Sequence, residues 1–266
     1  MTTFRGNVGN LLQHWVLCEV LSACQNSCQR LRFIDAYSMA PFADQRPKLD
    51  ASAPLFDKVC RRLPGEQSLY ERAWLKLAPN THEYPNSASF VTAAWRGRYS
   101  MVLCESDPAT IQQLERWARI AGQFPGCEGI EIASGDWRGH LRGPLLTSAD
   151  LLFLSFDPYM FDRHGSGRNP GNMDPADLDR LLNVLDGVPG SVVVQISTYS
   201  ANNDNAQDNV REVIASRLGG GGLQEAALIR ADGNMMSLVF KRGIEGGAAI
   251  ESLSTRFEAW LSSFRR

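Results

Sequence analysis

The sequence predicts an α/β fold: a doubly wound, mostly parallel sheet with an antiparallel hairpin at its end. Three observations carry this expectation. From residue 84 onward, short apolar runs alternate with segments of helical periodicity, the pattern of parallel strands joined by right-handed crossovers. Leu223–Arg230 and Met235–Arg242 are two strand-like runs separated by Ala231-Asp232-Gly233-Asn234, and Asp-Gly is a strong hairpin signal. Leu151–Phe161, LLFLSFDPYMF, is an apolar run closed by an acid, a proline and aromatics, which reads as a buried central strand.

In chain order, Leu11, Leu12, Trp15, Val16, Cys18, Val20 and Leu21 recur at helical spacing, so a helix is expected over Gly9–Gln25, capped by Asn7 or Asn10. Leu31–Tyr37 is the first strand and ends on Asp35. A Pro/Ala/Asp-rich stretch follows, then helical patterns at Leu55–Leu63 and Gln67–Leu77 and a loop at Ala78–Pro85. Ala43–Glu83 separates the first two strands too widely for a simple crossover, and it reads as an inserted helical subdomain within a single domain spanning 1–266. The pairs that follow are helix Ser87–Trp95 with strand Tyr99–Ser106, helix Pro108–Ala121 with strand Gly129–Ser134, and a short helix from Asp136 to Leu141 with strand Ala149–Asp157. Helix Asp174–Leu185, strand Ser191–Thr198 and helix Asn205–Leu218 complete the alternation, with Gly219–Gly222 ending the last helix. Ala248–Phe264 carries Ile250, Leu253, Phe257, Trp260, Leu261 and Phe264 on one face, expected to pack on its own domain. A dimer contact is the alternative.

Bulk properties narrow the function classes. Hydrophobic residues make up 44% and charged residues 21% of the 266, and the net charge is −2, so no global cationic field draws the chain to nucleic acid. No apolar run approaches the roughly 20 residues needed to span a bilayer. The N-terminus lacks a signal-peptide pattern, and the chain reads as cytoplasmic. Cys18, Cys24, Cys28, Cys60, Cys104 and Cys127 form no metal knuckles and read as reduced thiols. His82, His140 and His164 lack partners at ligand spacing, so no metal is expected. Arg163, His164 and Arg168 read as a solvated loop. A nicotinamide dehydrogenase is disfavoured because no G-x-G-x-x-G follows the first strand.

Ligands of open α/β sheets bind outside the carboxyl ends of the strands. Asp35, Glu105, Asp136 and Asp157 fall at four such ends. An acid after the second strand can accept from ribose hydroxyls, and one after the third from an adenine amine. Acids at strand ends also cap helices, and Asp107 before Pro108 reads as such a cap. At Asp157-Pro158-Tyr159, a carboxylate and the neighbouring carbonyl could accept the two N–H bonds of an exocyclic amine while an aromatic stacks on an extruded base.

These residues resemble the 23S ribosomal RNA adenine-N6 methyltransferases, whose fold is Rossmann-like and whose methyl donor is S-adenosyl-L-methionine (SAM). Gly6-Asn7 with Leu12-Gln13-His14 is similar to the family's Gly-Asn…Leu-Lys-His helix, Phe33-Ile34-Asp35 to its first strand, and Tyr84-Pro85-Asn86-Ser87 to its Tyr-Pro-Gly-Ser. Glu105-Ser106-Asp107-Pro108 resembles its Glu-Leu-His-Pro, Asp136-Trp137 with Leu141 its Asp-Gly-Phe…Leu, and Asp157-Pro158-Tyr159 its Asp-Pro-Pro-Tyr. The resemblance implies SAM-binding roles for His14, Asp35, Tyr37, Ser87, Glu105, Asp136 and Trp137. It implies a catalytic site at Asp157, Pro158 and Tyr159, with ribosomal RNA as partner. The chain departs from the family after the first strand: Ala36–Pro41 contains no glycine where the family has Thr-His-Ala-Gly-Ala-Gly, whose glycines let backbone approach the cofactor. A non-catalytic binding or scaffold protein on the same fold, and a small-molecule methyltransferase, are the competing expectations.

Overall fold

The computed structural model describes residues 8–44, 52–77, 83–142, 149–164, 171–199, 204–231, 235–244 and 247–264. Phe4, Arg5, Gly6, Asn7, His82, Arg168 and the Asp232-Gly233 turn lie outside them. Helix α1 (Val8–Cys24) leads into β1 (Arg30–Asp35), followed by β2 (Phe42–Asp44), α2 (Ser52–Cys60), α3 (Leu69–Leu77) and β3 (Glu83–Pro85). Next come α4 (Ser87–Ala94), β4 (Arg98–Glu105), α5 (Pro108–Ala121), β5 (Cys127–Ser134), a 3₁₀ turn at Trp137–Gly139 and β6 (Leu151–Phe156). The chain ends through α6 (Pro175–Leu185), β7 (Ser191–Tyr199), α7 (Asp204–Gly220), β8 (Gln224–Ala231), β9 (Met235–Arg242), α8 (Ala248–Glu251) and α9 (Leu253–Ser262).

Seven strands form one sheet in the order β5-β4-β1-β6-β7-β9-β8. The five strands β5, β4, β1, β6 and β7 are parallel, and the β8–β9 hairpin is antiparallel, as the alternation and the Asp-Gly signal predict. The order reverses at β1, between β4 and β6, which makes the carboxyl end of β1 the topological switch point.

Alternation along the strands divides the core in two. Leu31 and Phe33 face the layer containing α1, α3, α4 and α9, whereas Ile34 faces the layer containing α6 and α7. Strand β6 is buried along its full length, as its unbroken apolar run requires. Helix α1 is buried from Leu11 to Leu21, and Asn10 lies inside its first turn rather than at its cap. The segment inserted after β1 contributes Leu55, Phe56, Val59, Tyr70 and Trp74 to the same core as α1.

Three local details differ from the periodicity. The loop expected at Ala78–Pro85 ends in β3, which pairs antiparallel with β2 and closes the insertion. The glycine run after Leu218 begins while α7 is still helical, and α7 continues to Gly220. The C-terminal helix is broken at Ser252 into α8 and α9, whose Ile250, Leu253, Phe257 and Trp260 are buried in the chain's own core.

Candidate functional site

A small cavity opens at the switch point. It is lined by Asn10, Gln13, His14, Asp35, Tyr37, Met39, Asn86, Ser87 and Asp157 and opens to solvent. Four different segments build it: α1, the end of β1 with its loop, the start of α4, and the end of β6. Five residues singled out from the sequence meet here: His14, Asp35, Tyr37, Ser87 and Asp157.

Each wall has a local cause. Asn86 caps α4, its Oδ1 accepting from the Ser89 N–H at 2.9 Å, and its Nδ2 donates to the Met39 carbonyl at 2.8 Å. The cap thereby ties the β1 loop to α4. Asp35 is 2% exposed; its Oδ1 accepts from the Tyr37 N–H at 3.2 Å, turning the chain sharply out of β1.

Behind the cavity runs a buried chain of hydrogen bonds. Tyr70 and Tyr84 hydroxyls meet at 2.9 Å, Tyr84 meets His14 Nδ1 at 3.1 Å, and His14 Nε2 meets Ser87 Oγ at 3.0 Å. Tyr84 also donates to the Asn10 carbonyl at 3.3 Å. With its one proton directed there, Tyr84 accepts from His14 Nδ1–H, which leaves Nε2 as the acceptor of the Ser87 hydroxyl proton. Gln13 Nε2 donates to Ser87 Oγ at 3.4 Å. Burial pushes both tyrosine hydroxyls well above their usual pKa, so they stay protonated as links in the chain. Nothing at the level of local pattern marks Tyr70 as a partner of His14; the two are linked through Tyr84.

Glu105, Asp136 and Trp137 stand at the ends of β4 and β5, outside the lining of this cavity. Glu105 Oε1 accepts from the N–H groups of Ser106 at 2.7 Å and Asp107 at 2.8 Å. Asp107 caps α5 through the Thr110 N–H, the role expected of it. Asp136 caps the 3₁₀ turn and accepts from Arg138 Nη1 at 2.9 Å. Trp137 is 2% exposed and packs edge-on against Phe156, with ring centroids 5.0 Å apart.

Tyr37 leans from the β1 loop onto this group. Its ring meets Trp137 edge-on with centroids 6.5 Å apart, and its hydroxyl donates to the Asn172 carbonyl at 3.4 Å. Burial raises its pKa to about 12.

Beyond Asp157 the chain turns outward. Pro158 is buried, Tyr159 is 67% exposed and Met160 is 37% exposed. Phe161 returns to the core at 4% exposure. Arg163 and His164 are exposed, and the Arg163 Nε–H donates to His164 Nε2 at 3.1 Å. Among the described residues no three His, Cys, Asp or Glu side chains group as metal ligands. All six cysteines are unpaired thiols.

The donor set suits SAM at one end. His14, Ser87 and the first turn of α4 present polar groups for an amino-acid moiety, and Asp35 and Asp157 supply acceptors. Glu105 ends β4 in register with Ser134, and Asp136 follows two residues after Ser134, so both acids stand at the same sheet edge, where nucleoside hydroxyls and an amine would need acceptors. The cavity as it stands has room for about one water molecule, far less than the roughly 300–1,000 Å³ of sites that enclose whole ligands.

No family model and no curated protein matches the chain. Among solved structures, it is similar to protein LPL1258 from Legionella pneumophila str. Philadelphia 1, of family model DUF519. The TM-score is 0.67 at 14% identity, covering 96% of this chain and 92% of that one. It also overlaps P. horikoshii TYW2 in complex with MeSAdo, with TM-score 0.45, 8% identity and 91% and 63% of the two chains covered. Aeropyrum pernix fibrillarin with natively bound S-adenosyl-L-methionine gives TM-score 0.37 at 14% identity, with 58% and 60% covered. The last two are too distant to carry an argument. With the strand order, the likeness to the Legionella protein shows the fold, a Rossmann-like doubly wound sheet closed by an antiparallel hairpin.

Proposed function

We propose that the chain is a SAM-dependent methyltransferase acting on an adenine amine, with ribosomal RNA the substrate its sequence resemblance implies. One observation carries this reading: His14, Asp35, Ser87 and Asp157 converge on one cavity at the point where the strand order reverses. Bound SAM supplies an electrophilic methyl group. The chain's own residues then have limited work. N6 methylation needs no strong base; the amine nitrogen must keep its lone pair aimed at the methyl group. The Asp157 carboxylate and the carbonyl beside it accept the two amine N–H bonds and fix that direction. Tyr159, two-thirds exposed beside Asp157, offers a stacking platform for a base taken out of its helix. His14, held in one tautomer by Tyr84, accepts the Ser87 hydroxyl proton at Nε2 and so fixes Ser87 Oγ in the cavity wall.

Calorimetry with SAM and S-adenosylhomocysteine tests the first step, and methyl transfer to ribosomal RNA lacking the mark tests the second. Absence of binding by folded protein at millimolar ligand rejects the enzyme reading and favours a binding or scaffold protein, a reading supported by the bulk of Tyr37 and Met39 in the β1 loop. Binding without transfer to RNA directs attention to a small-molecule acceptor. Transfer that survives Asp157→Ala removes Asp157 from its role.

A further inference from the structure

Arg138 is the most heavily bonded cation among the described residues. Its Nε and Nη2 donate to the two carboxylate oxygens of Asp177, each at 2.6 Å; Nη2 also reaches the Asn172 carbonyl at 2.7 Å, and Nη1 reaches Asp136 Oδ2 at 2.9 Å. Its guanidinium carbon lies 5.0 Å from the centre of the Trp137 ring. At least four of the guanidinium's five N–H donors are therefore engaged, and its charge is met by two carboxylates. Such a group is not waiting for an anion.

Its position suggests a different role. A planar, N–H-bearing group that lies against Trp137 and donates to Asp136 does what the edge of an adenine would do at that place, since an exocyclic amine donates to the same kind of acceptor. Tyr37 closes the arrangement from the β1 side, its hydroxyl sharing the Asn172 carbonyl with Arg138. Asn172 Oδ1 is buried with no hydrogen-bond partner, an orphaned acceptor on the residue both side chains hold. These contacts also account for an open cavity that ends at Tyr37.

We infer that Arg138 is an internal occupant of the nucleoside subsite, an autoinhibitory latch held by Asp177 that a purine nucleoside must displace to bind. The inference rests on the SAM reading proposed above and adds the control of that site. Displacement exposes Asp136 Oδ2 and the Asn172 carbonyl as acceptors for base and ribose donors. Asp177, 3% exposed, does not become isolated, because Arg180 Nη1 lies 3.3 Å from it and the Asp174 N–H donates to it at 3.0 Å. The latch can therefore open without stranding a buried charge.

The test is calorimetry with three probes: S-adenosylhomocysteine, adenosine and methionine. Each is titrated into wild-type protein, Arg138→Ala and Asp177→Asn, with folding checked by circular dichroism. Asparagine at 177 keeps an oxygen for the Asp174 N–H while removing the charge that anchors Arg138, so it serves if Arg138→Ala does not fold. If the latched state dominates, both variants tighten adenosine and S-adenosylhomocysteine by about tenfold or more, because apparent affinity scales with the competent fraction. Methionine affinity stays within about twofold of wild type, since its end of the cavity does not touch the latch. S-adenosylhomocysteine binding equally to wild type and variants overturns the latch and leaves the SAM reading standing. No binding to any folded form overturns both. Methionine tightening as much as adenosine also overturns the latch, because it signals general loosening.

Discussion

Replacing Tyr84 by phenylalanine removes one oxygen atom from the centre of the buried chain behind the cavity. The residue is fully buried, so no water replaces what is lost. The hydroxyl meets Tyr70 at 2.9 Å, His14 Nδ1 at 3.1 Å and the Asn10 carbonyl at 3.3 Å. Each bond contributes about 1 kcal/mol net, and a buried polar group deprived of its partner costs about 1–3 kcal/mol. The Tyr70 hydroxyl bears that cost most directly. The expected loss is about 2–4 kcal/mol, which for a domain of this size lowers Tm by about 4–7 °C. Guanidinium unfolding of wild type, Tyr84→Phe, Tyr70→Phe and the double variant measures it. The double variant should be less destabilised than the sum of the singles by about 1 kcal/mol, because removing both hydroxyls leaves no orphan between them. A Tyr84→Phe loss below about 0.5 kcal/mol, or strictly additive singles, refutes the chain of bonds as described.

Four further outcomes are expected. Asp174 and Asp177 form a reciprocal capping box at the start of α6, so Asp174→Ala should cost about 1–2 kcal/mol by chemical denaturation. A Cβ on Gly97 would lie 2.2 Å from the Gln29 carbonyl oxygen, so Gly97→Ala should lower Tm and the yield of folded protein far more than Gly65→Ala, where nothing lies within 4 Å. Burial raises the Glu19 carboxyl despite its partner Arg256. The folded state then holds the Glu19 proton more tightly than the unfolded state, so this residue's contribution to stability falls as pH rises from the usual carboxylate range through the raised value. Glu19→Gln should flatten that part of the stability–pH curve, and an unchanged curve rejects the assignment. Cys60 is the exposed thiol, Cys127 is half-buried and Cys18, Cys24, Cys28 and Cys104 are buried, so a thiol reagent should show one fast equivalent that Cys60→Ser abolishes, with Cys127 reacting more slowly.

Local signals in the sequence carried the strands, the closing hairpin, the Asp107 and Asp174 starts of α5 and α6, and the placement of Asp35 and Asp157 at one edge. These features depend on residues adjacent in the chain, or on a periodicity that burial enforces. The β2–β3 ladder escaped because three-residue strands leave no periodic trace. The bonds that shape the site were equally hidden, since Tyr84 meets His14 across 70 positions and Arg138 meets Asp177 across 39. Arg138 carries no local mark of its role: an arginine after Asp-Trp is an ordinary surface residue until α6 brings an acid to it. Asp177 could have been suspected from the Asp-x-x-Asp spacing at the start of α6, but only as half of a cap.

Helix α1 carries a consequence for how the chain is made. Its buried faces are covered by α3 and α4 and by elements from the far end of the sequence, including β8, β9 and the last two helices. Trp15 meets Phe257 at 5.2 Å and Trp260 at 6.0 Å between ring centroids, and Glu19 pairs with Arg256. During synthesis from the N-terminus, the first helix emerges long before its partners exist. It must wait with tryptophan and leucine side chains uncovered, a state that binds chaperones or aggregates. Folding should therefore complete only after the final turn of α9 has cleared the ribosome, and nascent chains stalled before Phe257 should remain protease-sensitive throughout α1.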